Sequence, residues 1–245
     1  MTRVLSYGSL PSVYFSDRPA EDLRAYASDY LQQEIAYEGL TRNLPAFSRF
    51  LEVAALCNGQ ILNLTQIASD AQVPQTTVHE YFQILHDTLL GYDVPSYQKA
   101  KSRKPLATAK FYFFDVGVAR ALAGQTHLLP EKSSEYGNAL EAWVFHELRT
   151  WVDYRGAGSV HYWRTTSGHE VDFVINESVA VEVKARGHIT ERDLQGLRKC
   201  LEETGVRRAY CVCRERFPRH VGAMEVLPYE QFFARLWADD LGVVT

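Results

Sequence analysis

Two carboxylates and an ammonium group stand at strand spacing in the second half of the chain. The stretch Glu170-Val-Asp172-Phe-Val-Ile175 leads through Asn176-Glu177-Ser178 into Val179-Ala-Val-Glu182-Val-Lys184. Both stretches alternate in the way of strands. With Asn176-Glu177-Ser178 as a hairpin loop, Ile175 pairs with Val179, and Asp172 falls across from Glu182 on the same side of the sheet. Facing carboxylates repel, so a chain that places them there needs a compensating cation. The spacing predicts a hard oxygen site for Mg²⁺ held by Asp172 and Glu182, with Lys184 beside it. Glu170 shares the face of Asp172 and is a reserve ligand. The plain alternative is a structural cluster in which Lys184 neutralises two acids.

The elements that must hold these residues follow from periodicity. A helix is expected from about Glu135 to Trp151, then strands around Val160–Arg164, 170–175 and 179–185, a helix from about Thr190 to Glu203, and a strand over 207–213. The aromatics Tyr162 and Trp163 read as core or sheet cover. Upstream, Leu23, Tyr26, Ala27, Tyr30, Leu31 and Ile35 mark a helix between Pro19 and Leu40, and Pro45 opens another with Phe47, Phe50, Leu51, Ala54 and Ala55 on one face. Next, Leu64–Ala71, a tight Gln72-Val73-Pro74 and Gln75–Leu85 form a helix-turn-helix pattern with Ile67, Ala71, Val73, Val78 and Tyr81 at core positions. Gln72 stands where such turns usually carry Gly, so it must be left-handed or the turn must differ. Strands are expected at Tyr92–Tyr97 and Lys110–Phe114. The stretch joining them is basic: Lys99, Lys101, Arg103, Lys104 and Lys110, with no acid. Strand, basic loop and strand after such helices make a winged helix with a basic wing, and DNA is the partner this implies. Gln75, Thr76 and His79 are the exposed candidates on the second helix, while Glu80 would repel phosphate. A protein partner is the competing reading of the same module.

Composition bounds the rest. The chain has 245 residues, 46% of them hydrophobic, enough for one large or two small domains. A net charge of −4 leaves nucleic-acid contact to local patches. There is no membrane span and no signal-peptide core at Met1-Thr-Arg-Val-Leu-Ser-Tyr7, so a cytoplasmic protein is expected. Cys57, Cys200, Cys211 and Cys213 show neither a disulfide framework nor metal-ligand spacing and read as buried thiols.

The Asp172 and Glu182-Val183-Lys184 unit resembles the PD-(D/E)XK nuclease superfamily, whose restriction-endonuclease-like core runs helix, three strands, helix, strand. One departure is Gly168-His169-Glu170-Val171, which stands where the motif's Pro would be. The resemblance implies that Asp172 and Glu182 bind Mg²⁺ with the Val183 carbonyl, that Lys184 orients or deprotonates the attacking water, and that Glu141 on the preceding helix is an additional acid. Segments along nearly the whole chain resemble the C-terminal region of bacterial and archaeal AAA-type ATPases that carry the domain of unknown function 4143. Among them are Tyr30–Ile35, Phe50–Ala55, Ile84–Gly91, Lys110–Arg120, Tyr162–Arg164 and the Glu170–Lys184 unit. That resemblance implies an ATPase core in cis or trans as a partner. No Gly-x₄-Gly-Lys-Ser/Thr occurs in the sequence, so no ATP hydrolysis is expected from it.

The fold class expected is α/β: an α-rich N-terminal part with a winged helix-turn-helix, then a restriction-endonuclease-like mixed domain. The segments are 1–44, resembling the tail of an ATPase lid, 45–125 for the winged helix, and 133–245 for the nuclease-like domain. The function expected is DNA binding coupled to Mg²⁺-dependent phosphodiester hydrolysis. The alternative is a non-catalytic DNA- or protein-interaction module.

Overall fold

A computed structural model of the chain describes residues 1–30, 41, 43–97, 109–156 and 158–243. They fall into two compact units, Met1–Asp93 with Leu106–Trp143, and Val94–Pro105 with Val144–Thr245. The fold is mixed α/β, and none of the described helices is long and apolar enough to cross a membrane.

The first unit opens with three short helices, α1 (Thr2–Tyr7), α2 (Pro11–Tyr14) and α3 (Pro19–Ala25). The helix expected from Pro19 to Leu40 instead changes to a π-helical turn at Tyr26–Tyr30, and 31–40 lie outside the described residues. Helix α4 (Leu44–Leu56) starts where Asn43 accepts the Ala46 N–H at 3.2 Å, with Pro45 in the first turn. It buries Phe47, Phe50, Leu51, Ala54 and Ala55, the face its periodicity predicts.

Helices α5 (Leu64–Ala71) and α6 (Gln75–Asp87) follow, joined by Gln72 in the left-handed conformation at φ 55°. Gln72 thus accepts the strain that a Gly would avoid. Pro74 sits one residue earlier than expected, at the cap of α6. Ile67, Ala71, Val78 and Tyr81 are buried and Val73 packs against them. Strands β1 (Gly91–Val94) and β2 (Lys110–Phe113) form a two-stranded sheet. An aromatic chain ties β2 to the helices: Phe50 meets Phe82 edge-on at 4.9 Å, and Phe82 meets Phe111 at 4.9 Å.

Helix α7 (Val116–Leu122) is capped by the buried Asp115, which accepts from Val118 N–H at 3.0 Å. Its other oxygen takes the Ser9 N–H at 2.8 Å, so the N-terminal segment is latched to this cap.

Helix α8 (Ser134–Arg155) contributes residues 144–155 to the second unit. Then come β3 (Val160–Arg164), β4 (Glu170–Ile175), β5 (Val179–Val183), a 3₁₀ turn (Glu191–Leu194), α9 (Gln195–Glu203) and β6 (Arg208–Cys213). This is the expected order of helix, three strands, helix and strand. Strands β7 (Arg219–Val221) and β8 (Met224–Pro228) and helix α10 (Tyr229–Trp237) extend it beyond what periodicity predicts. The sheet order is β3-β4-β5-β6-β8-β7. Strands β3 to β5 are antiparallel, β5, β6 and β8 are parallel, and β7 is an antiparallel edge.

On one sheet face Val174, Ala180, Ala209 and Cys211 share a core with Leu197 and Cys200 of α9. Elsewhere in the same unit Phe173 stacks on Phe145 of α8 at 6.1 Å and Tyr210 meets Phe232 of α10 at 6.3 Å. Tyr162 and Trp163 are buried, as are the free thiols of Cys200, Cys211 and Cys213. Cys57 is only half-buried.

Candidate functional site

The hairpin that carries the acidic pair forms in the expected register. Ser178 N–H closes the turn on Ile175 O at 3.0 Å, with Asn176 and Glu177 both left-handed at φ 47° and 56°. Ile175 pairs with Val179, Val174 with Ala180, and Phe173 with Val181. Continuing that register would set Asp172 opposite Glu182 and Val171 opposite Val183. At that point the ladder ends. The Val183 N–H, which points toward β4, donates to Asp172 Oδ2 at 2.8 Å. A side chain has taken the place of a main-chain carbonyl, so the strands part at the acidic pair. On its other edge the chain continues beside β6, with Lys184 N–H donating to Val212 O at 2.9 Å.

Asp172 and Glu182 are 7% and 6% exposed, few enough contacts with water that each needs a polar partner. Lys184 Nζ donates to Glu182 Oε1. Burial works against the Lys184 ammonium, but the Glu182 and Asp172 charges outweigh it and hold its pKa above the usual lysine value. Lys184 is therefore a cation here. Among the described residues no group of three or more His, Cys, Asp and Glu side chains is placed to hold a metal ion. The donor set still suits Mg²⁺, which takes one or two carboxylates and keeps several waters.

Glu182 and Lys184 line a cleft of about 450 Å³ together with His169, Glu170, Arg186, Thr190, Arg192, Asp193, Gln195 and Gly196. Its helical wall is built by a capping box. Asp193 accepts from Thr190 N–H at 2.9 Å and from its hydroxyl at 2.7 Å. Arg186 donates to the other Asp193 oxygen at 3.0 Å. Desolvation alone would raise the Asp193 pKa, but the Thr190 hydrogen bonds and the Arg186 charge reverse it, and the net shift is downward. Gly196 lets this wall close on β4. A Cβ there would sit 2.1 Å from the Glu170 carbonyl oxygen. Sequence reasoning missed these wall residues, although Thr190-Glu-Arg-Asp193 is a readable capping signature.

The remaining candidates have contacts of their own. Glu141, expected as an additional acid of the site, accepts from Lys110 Nζ at 3.2 Å and from Tyr112 OH at 2.6 Å, both in the first unit. Lys110, expected among the DNA contacts, is 4% exposed and forms this ion pair, so it is not an exposed wing cation. Its basic neighbours in sequence concealed this, because the partner acid comes from a distant helix. Lys99, Lys101, Arg103 and Lys104 lie outside the described residues. Gln75, Thr76 and His79 are exposed on α6, as expected. They share the outer surface of α5 and α6 with Asp70, Glu80 and Asp87, and no Lys or Arg occurs between Asn63 and Asp87.

Two curated relatives are similar to the chain. They are Uncharacterized protein Mb2031c of Mycobacterium bovis and Uncharacterized protein Rv2008c of Mycobacterium tuberculosis, each 25% identical over 176 residues. The alignment covers 70% of this chain and 39% of each relative, so the matched part spans well under half the length of those proteins. No solved structure matches the chain. Residues 136–232 match the model Domain of unknown function (DUF4143). That span is narrower than the expected resemblance along nearly the whole chain, because residues 1–128 match a separate model, Domain of unknown function (DUF8612). The second match takes in more than half of the sequence, and the chain belongs to the family it describes, Domain of unknown function (DUF8612).

Proposed function

We propose that the second unit is a restriction-endonuclease-like domain that hydrolyses phosphodiesters of DNA with Mg²⁺. The observation that carries this reading is the parted end of the β4–β5 hairpin. There the buried Asp172 and Glu182 meet the Lys184 cation, and Glu182 and Lys184 open into a polar cleft with Arg186 and Arg192. Asp172 and Glu182 would hold the ion, with the Val183 carbonyl as a further ligand. When bound, Mg²⁺ lowers the pKa of a coordinated water and withdraws charge from phosphoryl oxygens. Asp172 pins Val183 and so fixes Glu182 and Lys184 on either side of it. Lys184 would orient or deprotonate the attacking water and stabilise charge that develops on the phosphate. Arg186 and Arg192 hold phosphates of the same strand at the cleft.

In this reading the first unit is a winged helix. Its outer helix face carries acids and no Lys or Arg, which favours a protein partner there, such as an AAA-type ATPase core in cis or trans. DNA contact by this unit would rest on Lys99, Lys101, Arg103 and Lys104, which lie outside the described residues, and on Gln75, Thr76 and His79 of α6.

One observation favours a second reading, a non-catalytic interaction module. Asp172 and Glu182 already have protein partners in Val183 N–H and Lys184, as a purely structural cluster would. Melting with added Mg²⁺ separates the two. A ligand at a hundred times its Kd stabilises the native state by about 2.7 kcal/mol. The wild-type protein should gain stability in this way and Asp172→Asn should not. An equal response of both proteins places no metal on Asp172 and leaves the structural cluster.

A further inference from the structure

The loop between β6 and β7, Arg214-Glu-Arg-Phe-Pro218, is fastened to the rim of the cleft. Arg214 N–H donates to Arg186 O at 2.9 Å, and Ile189 N–H donates to Glu215 Oε1 at 2.7 Å. Arg219 closes the arrangement, donating to Ile189 O at 2.7 Å and to both Glu215 oxygens at 2.9 Å. The loop is thus a fixed continuation of the cleft wall. Its tip presents Phe217 with 77% of its surface in water, beside the exposed Arg216. Within this rim Arg186 pairs with Asp193 and Arg219 with Glu215. Arg192 and Arg216 are exposed and form no ion pair among the described residues. A chain of net charge −4 has therefore gathered unpaired cations and a bare aromatic ring next to one polar cleft.

We propose that this rim binds single-stranded DNA, with the Phe217 ring stacked on an unpaired base and Arg192 and Arg216 holding the flanking phosphates. An exposed aromatic among arginines suits a single strand, because its bases have open faces, whereas those of a duplex are already stacked. The proposal rests on the phosphodiesterase reading for the role of the neighbouring cleft, but binding itself requires neither metal nor cleavage.

The test is fluorescence anisotropy of a labelled oligothymidylate of about 20 nucleotides with the full chain, in EDTA at low salt. Wild type should bind it more tightly than a duplex of equal length and at least as tightly as an oligouridylate. Phe217→Ala should weaken binding roughly 5- to 100-fold, while Phe217→Trp retains it. Arg192→Ala with Arg216→Ala should flatten the slope of log affinity against log salt by about 1.4. All three side chains are exposed, so melting temperatures should not move. The proposal is overturned if wild type does not bind the oligothymidylate, if Phe217→Ala binds as wild type does, or if the duplex or the oligouridylate is preferred. Its failure is distinct from failure of the catalytic reading. Metal-dependent cleavage with unchanged affinity in Phe217→Ala removes the surface and keeps the catalysis. The expected binding without cleavage in Mg²⁺ does the reverse.

Discussion

The exposed face of α6 and the rim of the cleft beside β5 are both polar surfaces that sequence patterns mark for nucleic acid, and they differ in charge. On α5 and α6 themselves the outward side chains include Asp70, Glu80 and Asp87 and no Lys or Arg, while Arg49 of α4 reaches the Ala71 carbonyl at their turn at 3.2 Å. Around the cleft Lys184, Arg186 and Arg219 are paired with Glu182, Asp193 and Glu215, while Arg192 and Arg216 are exposed and form no ion pair among the described residues. A duplex-reading helix needs phosphate contacts to set its register, and those come mostly from Lys and Arg. The contrast teaches that a helix-turn-helix pattern describes how two helices cross, while the charge on the outer face decides what they meet.

The largest effect should come from Lys110, a cation whose sequence neighbours mark it for nucleic acid. Lys110 reads as a phosphate contact in sequence but is buried against Glu141. Lys110→Met should cost about 3 kcal/mol by urea unfolding, because it leaves a carboxylate short of its cation. Adding Glu141→Leu should restore part of that loss. A Lys110→Met protein of unchanged stability but flattened salt dependence would return Lys110 to the wing. Next, Gly196→Ala should destabilise by about 1–3 kcal/mol, since the new methyl meets the Glu170 carbonyl and pushes α9 from β4. Wild-type stability in that variant would mean that the cleft wall does not close on the sheet as described.

The Asp193 carboxyl gives a smaller, pH-dependent effect. Its pKa is lowered in the folded state, so the unfolded chain takes up its proton first as pH falls. The stabilisation is present above the ordinary aspartate value of about 3.9 and is lost as pH falls through the lower native value. Asp193→Asn should therefore show a shallower loss of melting temperature below about pH 4 than wild type. Parallel acid limbs would contradict the capping box. The smallest change is expected on α6, where His79→Ala should alter oligonucleotide affinity less than about twofold, as it removes no phosphate contact. A tenfold loss there would reverse the comparison.

Much of the site was legible because its elements are local. The Val-x-Val alternation and the short Asn176-Glu177-Ser178 link fix a hairpin register without reference to the rest of the chain, and Ile175 meets Val179 as that pattern requires. The apolar face of α4 was readable for the same reason, and the missing turn Gly left two outcomes for Gln72, of which the left-handed one occurs. What escaped depends on partners far along the chain. Nothing near Lys110 announces Glu141, and nothing near Gly196 announces the β4 carbonyl it faces. The break in the β4–β5 ladder is likewise invisible to alternation, since period-2 patterning continues through Asp172 and Glu182 after the strands have parted. Edge strand β7 has only three residues and none of them is buried, so periodicity gave no signal for the loop that carries Phe217.

Nicking of supercoiled plasmid by the purified chain tests the central claim most directly, with wild type and Asp172→Asn compared in Mg²⁺, in Mn²⁺ and in EDTA. Wild type should convert the plasmid to nicked or linear DNA only with metal, and Asp172→Asn should do so at least about a hundredfold more slowly, the scale set by removing a group that supports transition-state charge. Equal rates for the two proteins, or no metal-dependent cleavage by wild type of either plasmid or single-stranded DNA, would contradict that claim.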